Sequence, residues 1–179
     1  MESFASRRLT AEKLHEGHLA DLVALHLDPD VMRYVGGVRS PETTRDYLAV
    51  NLAHLGSARL WLWVLRVASG EFAGRVGIRH LVVGGAPEVD VAYTFKRALW
   101  GRGLASEIAG VVTKLGLEQL GLPSLVGVAS TENAGSRSVL EKSGFALERR
   151  TIYLGEDVAL YRRMRSPEQP PGGRRDKPK

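Results

Sequence analysis

The run Trp100-Gly101-Arg102-Gly103-Leu104-Ala105-Ser106 is where this sequence has the residue types and spacing for chemistry. Its glycines let the backbone come close to a guest. The periodic apolar residues Leu104, Ile108, Val111, Val112 and Leu115 then open a helix. A helix's first turn presents N–H groups without intrahelical partners, plus the positive end of the helix dipole. The natural guest is therefore an anion, above all a phosphate.

Three phosphate-binding arrangements compete for this stretch. A P-loop requires a Gly-Lys pair, and the chain contains none. A dinucleotide fingerprint requires a third glycine where Ser106 stands, and a parallel unit around it, whereas the strands before this stretch read as a meander. The third arrangement, x-x-x-G-x-(G/A) opening a helix after an antiparallel strand, is met from Trp100 through Gly103 to Ala105.

The elements that position this turn follow from hydrophobic period. Residues 11–27 read as a helix, with a second short one through Met32; Ser40 caps a third over 42–55, with Pro41 in its first turn. Residues 60–67 and 72–83 form a hairpin around Ala68-Ser69-Gly70-Glu71, and 89–95 adds a third antiparallel strand. The helix from Leu104 stops at Gly121 and Pro123; a buried-type strand over 124–130, a short helix from Asn133 to Lys142 and a strand pair over 145–152 and 158–163 complete the domain. The expected fold is a single α/β (α+β) domain over residues 1–165, with a mixed, mostly antiparallel sheet of about six to seven strands flanked by helices. The segment 166–179, rich in Pro and Gly, is expected to be disordered.

Composition narrows the function classes. With no cysteine, the chain has no disulfide, thiolate metal site or thiol nucleophile. No apolar run approaches the roughly 20 residues of a membrane span, and the N-terminus lacks the apolar core of a secretory signal, so a cytoplasmic protein without membrane contact is expected. The formal charge of +5 owes much to the tail, where five basic residues face two acidic ones from Arg165 onward. The body is only mildly basic, which suits a phosphate-bearing ligand and gives no reason to expect DNA. His15 and His18, three apart on the first expected helix, lack a third ligand nearby and read as surface residues; no metal is expected.

Several stretches resemble the GNAT superfamily of acyl-CoA-dependent N-acyltransferases, and within it the RimJ/RimL type that acetylates ribosomal-protein N-termini. DPDVMRYVGG (28–37) is similar to the family's early helix-loop, WLWVLRVASGEFAGRVGI (61–78) to its second and third strands, and DVAYTFKRALWGRGLASE (90–107) to its fourth strand and pyrophosphate loop. NAGSRSVLEKSGF (133–145) is similar to the family helix N-x-x-S-x-x-V-L-E-K-x-G-F. The resemblance implies acetyl-CoA as cosubstrate, its pyrophosphate held around Trp100, Gly101, Arg102, Gly103, Leu104 and Ala105. Its pantetheine arm would run beside Tyr93, Thr94 and Phe95, near Asn133 and Ser136, in a gap between this strand and that over 126–129.

The resemblance also proposes roles. Asp90 matches an acidic family position and is the candidate base, with Glu88 as second choice; the alternative for Asp90 is a solvated hairpin carboxylate. Ser136 would assist the leaving sulfur, since relatives place a tyrosine four residues later where this chain has Leu140; the alternative is a capping serine. Arg102 is either a phosphate partner or a solvated loop residue, and Trp61, Trp63 and Tyr93 are core or cleft wall. The acceptor expected is a protein N-terminal amine. Alternatives are a small amine such as an antibiotic, polyamine or amino acid, or a CoA-binding module without turnover. An exposed sheet edge would permit a homodimer.

Overall fold

The structure, a computed structural model, describes residues 3–55 and 61–166. The expectation of a disordered tail falls almost wholly on 167–179, outside the described residues, as does Leu60 at the start of an expected strand.

Eight strands form one sheet in the order β1-β2-β3-β4-β5-β6-β8-β7: β1 (Phe4–Ala5), β2 (Leu9–Lys13), β3 (Trp61–Val67), β4 (Phe72–Val83), β5 (Ala86–Phe95), β6 (Ser124–Ser130), β7 (Ala146–Tyr153) and β8 (Glu156–Met164). Every neighbouring pair is antiparallel except β5 and β6. Helices α1 (Leu19–His26), α2 (Pro29–Met32) and α3 (Pro41–His54) cover one face of the sheet, and α4 (Leu104–Lys114) and α5 (Ala134–Lys142) the other. None of the helices among the described residues is long and apolar enough to cross a membrane.

Two layers of helix explain why β3 reads as a continuous apolar run. Its Leu62 and Val64 pack with Leu22, Leu25 and Leu48, whereas Trp63 and Leu65 pack with Ile108 and Val112 of α4. The start of α3 is as the sequence implies, with Ser40 Oγ accepting from the Thr43 N–H and Pro41 in the first turn.

The N-terminal segment corrects the sequence reading. Residues 9–13 are a strand, so the helix expected over 11–27 does not begin at Ala11: Leu9 and Ala11 are buried, Thr10 is exposed, and Leu9 lies opposite Val67. The helical spacing starts only at Leu14, whereas Leu9 and Ala11 alternate with Thr10 as on a sheet face, and the free edge of β3 gives that segment a partner. The extra strands β1 and β2 raise the count to eight. The correction extends to the histidines, which lie on a short 3-10 turn ahead of α1. His18 is only 1% exposed, not a surface residue; its Nδ1 accepts from the His15 N–H and its Nε2 lies 3.3 Å from Glu12.

His26 of α1 is fully buried, with Nδ1 3.1 Å from Thr44 Oγ1 and its ring edge-on to Tyr47. Burial, reinforced by Arg75 and Arg39, drives its pKa from 6.5 down to about 3. Between those values the unfolded chain binds a proton that the folded chain refuses, so His26 costs stability as the pH falls from 6.5 toward 3. The full effect is on the order of 5 kcal/mol. His26→Gln is expected to lose less stability than the parent between pH 7 and pH 4 in urea unfolding; equal losses would contradict this assignment.

Candidate active site

Gly103 caps α4 in the left-handed region at φ +73, and Gly101 sits likewise at φ +74. No side chain caps this helix, and its first intrahelical bond runs from the Glu107 N–H to the Gly103 carbonyl. The N–H groups of Leu104, Ala105 and Ser106 are therefore left for a ligand. A Cβ added at Gly101 would meet nothing within 4 Å, and one at Gly103 only the Arg8 guanidinium at 3.6 Å, so the approach is open. Trp100, half exposed, ties the loop to the end of β5 through Nε1 to the Phe95 carbonyl at 2.9 Å. Arg102 is exposed, and its carbonyl accepts from Arg8 Nη1 at 2.9 Å. This donor set fits a diphosphate.

One carboxylate stands in that first turn and would repel such a guest. Glu107 is instead bound by Ser6 Oγ at 2.7 Å, the Arg8 N–H at 2.8 Å and Arg8 Nε at 2.7 Å. Burial pushes its pKa up, but these hydrogen bonds outweigh burial and hold it low. The turn between β1 and β2 thus neutralises the acid and straps the loop in place. Arg8 and Ser6 carried no sequence signal, because the strands that deliver them were not recognised.

Beside this loop the sheet opens. The parallel pair β5–β6 is registered only at Asp90 opposite Val126, while β5 continues to Phe95 and β6 to Ser130. The edge of β5 toward Phe95 faces that opening with its ladder bonds on the β4 side. Thr94 and Phe95 have buried side chains, so they offer the gap backbone groups. Tyr93 crosses it: its hydroxyl donates to the Ser136 carbonyl at 3.0 Å and lies 3.1 Å from Ser136 Oγ. Burial raises the Tyr93 pKa, so the phenol keeps its proton. Asn133 caps α5 by accepting from the Ser136 N–H at 3.0 Å, and Ser136 Oγ turns to Tyr93 instead of capping. Leu140 is core, where an added Cβ on Gly127 would come within 2.2 Å of its Cδ2.

Asp90 occupies the vertex of the opening, and a solvated carboxylate is excluded because it is 2% exposed. Its Oδ2 accepts from Arg79 Nε at 2.9 Å, its cross-strand neighbour on β4, and its Oδ1 is buried without a partner. Burial raises its pKa, with Arg79 and the backbone N–H of Val128 on β6 opposing. Glu88 is gripped by both terminal nitrogens of Arg162 on β8, at 2.6 and 2.9 Å, and serves as a cross-link. By strand alternation Asp90, Ala92 and Thr94 face the α1–α3 side, whereas Val91, Tyr93 and Phe95 face α4 and α5. The opening therefore joins a face bearing a carboxylate to a face bearing two hydroxyls.

Comparison with known proteins gives this arrangement a lineage. Residues 8–146 match the family model described as an acetyltransferase (GNAT) domain. The uncharacterised protein YkkB of Bacillus subtilis is 27% identical over 137 residues, 76% of this chain and 80% of that one. Among similar solved structures is RimL, the ribosomal L7/L12 α-N-protein acetyltransferase in complex with coenzyme A, at TM-score 0.78 and 19% identity, covering 91% of this chain and 98% of that one. The spermidine N-acetyltransferase of Vibrio cholerae, in complex with CoA and spermine, follows at TM-score 0.72 and 18% identity, covering 88% and 95%. A loop open to a diphosphate, a parted strand pair and a matched span of this length lead to one conclusion: the chain belongs to the GNAT family of acetyltransferases.

Proposed function

We propose that this acetyl-CoA-dependent N-acetyltransferase acts on the α-amine of a polypeptide, with Asp90 as base and the Tyr93–Ser136 hydroxyl pair assisting the thiol. The observation that carries the reading is the parting of β5 and β6 just beyond Asp90, beside the open first turn of α4. Arg102 to Ala105 would hold the diphosphate, the β5 edge the pantetheine amides, and Asn133 would fix the first turn of α5 against Tyr93.

Acetyl-CoA supplies a thioester to the opening. The amine, with a pKa of about 8, approaches from the α1–α3 face and forms the new C–N bond. Asp90 takes its proton through Oδ1, the oxygen that Arg79 leaves free. As the C–S bond breaks, Tyr93 turns its O–H from the Ser136 carbonyl to the sulfur; the phenolate regains a proton from Ser136 Oγ, which solvent reprotonates, and Asp90 returns the amine's proton to solvent. The alternation along β5 thus keeps base and acid on opposite sides of the reacting carbon. The RimL likeness supports a protein N-terminus; a small amine is the second reading, since the spermidine enzyme shares the fold.

The test is a pH–rate profile with a panel of peptide amines. The carboxyl of Asp90 must be ionised, so the parent loses activity as the pH falls through its raised pKa. Asp90→Asn is expected to lower kcat/KM by about 100-fold and to abolish that acid limb, and Tyr93→Phe to lower kcat by about tenfold. An Asp90→Asn profile superimposable on the parent's would remove Asp90 from the mechanism.

A further inference from the structure

The α1–α3 face of the sheet, from which the amine approaches, carries more positive charge than the fold needs. Arg75 of β4 is 6% exposed; Nη1 donates to Tyr47 Oη at 2.9 Å, while Nε is buried without a partner. Arg39, in the segment joining α2 to α3, donates Nη2 to the Val35 carbonyl at 3.2 Å and leaves Nη1 buried and unpaired. The two guanidinium carbons lie 4.9 and 5.2 Å from the ring centroid of Tyr47. Neither arginine has a carboxylate partner among the described residues. Arg79, next on the same face of β4 beyond Gly77, is the one matched by an acid, Asp90.

A buried guanidinium and a half-buried one lie over a single phenol, each with a buried N–H left unpaired, and this costs free energy unless an anion completes them. Burial first, and the neighbouring Arg75 second, hold the Arg39 pKa below the usual guanidinium range. The other ionisable groups packed here do not answer the excess. His26 is neutral above pH 3, and Asp90 is taken by Arg79.

Building on the acetyltransferase reading above, we infer that Arg39 and Arg75 receive a carboxylate of the acceptor, so that the enzyme selects amines bearing an acidic group over polyamines. The carboxylate is that of a free amino acid or of an acidic residue close behind a polypeptide α-amine. Guanidinium forks suit this planar anion. A polycation would meet the same pair with repulsion.

The experiment compares glutamate, peptides with Asp or Lys at the second position, and spermidine as acceptors. Parent enzyme is expected to favour the acidic amines by about tenfold or more in kcat/KM, with the two acidic sources ranked by the same assay. Arg39→Gln and Arg75→Gln should collapse that ratio, and Arg75→Lys should restore part of it. Should Arg75→Gln fail to fold, the more exposed Arg39→Gln and added salt provide the same readout. Spermidine or the Lys peptide matching the acidic amines, or a ratio untouched by both variants, would overturn the inference. Absence of thiol release with every amine would instead count against the acetyl-transfer reading. Calorimetry of N-acetylglutamate on the CoA-loaded protein then decides the anion site by itself: binding lost in Arg39→Gln supports it, and no binding to the parent overturns it.

Discussion

Gly103→Val is expected to raise the KM for acetyl-CoA by about 100-fold or more while leaving the far-ultraviolet circular dichroism unchanged. Gly103 holds φ +73 at the mouth of α4, a conformation that a β-branched residue avoids at a cost of about 1–2 kcal/mol. The space around it is open, so the damage is not a clash: relaxing the backbone swings the Gly103 and Leu104 N–H groups away from the diphosphate. Each hydrogen bond to a charged group contributes about 1.5–3 kcal/mol, so losing one or two gives the expected factor. Gly103→Ala should fall between, at about tenfold. Titration calorimetry with CoA and steady-state kinetics report the change, and a valine variant that saturates like the parent would end the assignment of this turn.

Gly74→Ala tests the other side of the gap and should act on stability rather than binding. Gly74 lies opposite Phe95 in the β4–β5 ladder, and a Cβ there would stand 2.1 Å from the Thr94 carbonyl oxygen and 2.8 Å from the Phe95 Cα. Both are backbone atoms of the paired strand, so no side-chain rotation relieves the overlap, and the strands must separate. A loss of about 3 kcal/mol is expected, with Tm lower by roughly 10 °C in a domain of this size. A Tm within two or three degrees of the parent's would show that the ladder yields there at little cost.

The sequence made the cosubstrate side legible because that side depends on local signals. Glycine at positive φ, a strong stripe from Leu104 and an Asn cap are short-range facts, and the structure places Gly101, Gly103 and Asn133 where those signals put them. The N-terminal strands were not legible, since two buried alternating positions, Leu9 and Ala11, are too short a signal and the edge of β3 that pairs with them lies some fifty residues away. For the same reason Arg8 could not be connected to Glu107. The Tyr93–Ser136 contact and the crowding of Arg39, Arg75 and Tyr47 arise from elements far apart in the chain, and residue type alone did not mark them. Asp90 lies between these cases: the resemblance picked out the residue, but its burial, its arginine and its unpartnered oxygen belong to the tertiary structure.

The single rung between Asp90 and Val126 also bears on mechanics. Arg162 reaches from β8 past β6 to clasp Glu88 on β5, so the seam is stapled at one end, while toward Phe95 it is spanned by the Tyr93–Ser136 contact in place of ladder bonds. A sheet built this way behaves as two leaves on a hinge, and a long amide-bearing molecule lying in the crease completes rungs the polypeptide omits. The enzyme would then be stiffest while loaded and loosest after product departs, linking turnover to the rhythm of that crease.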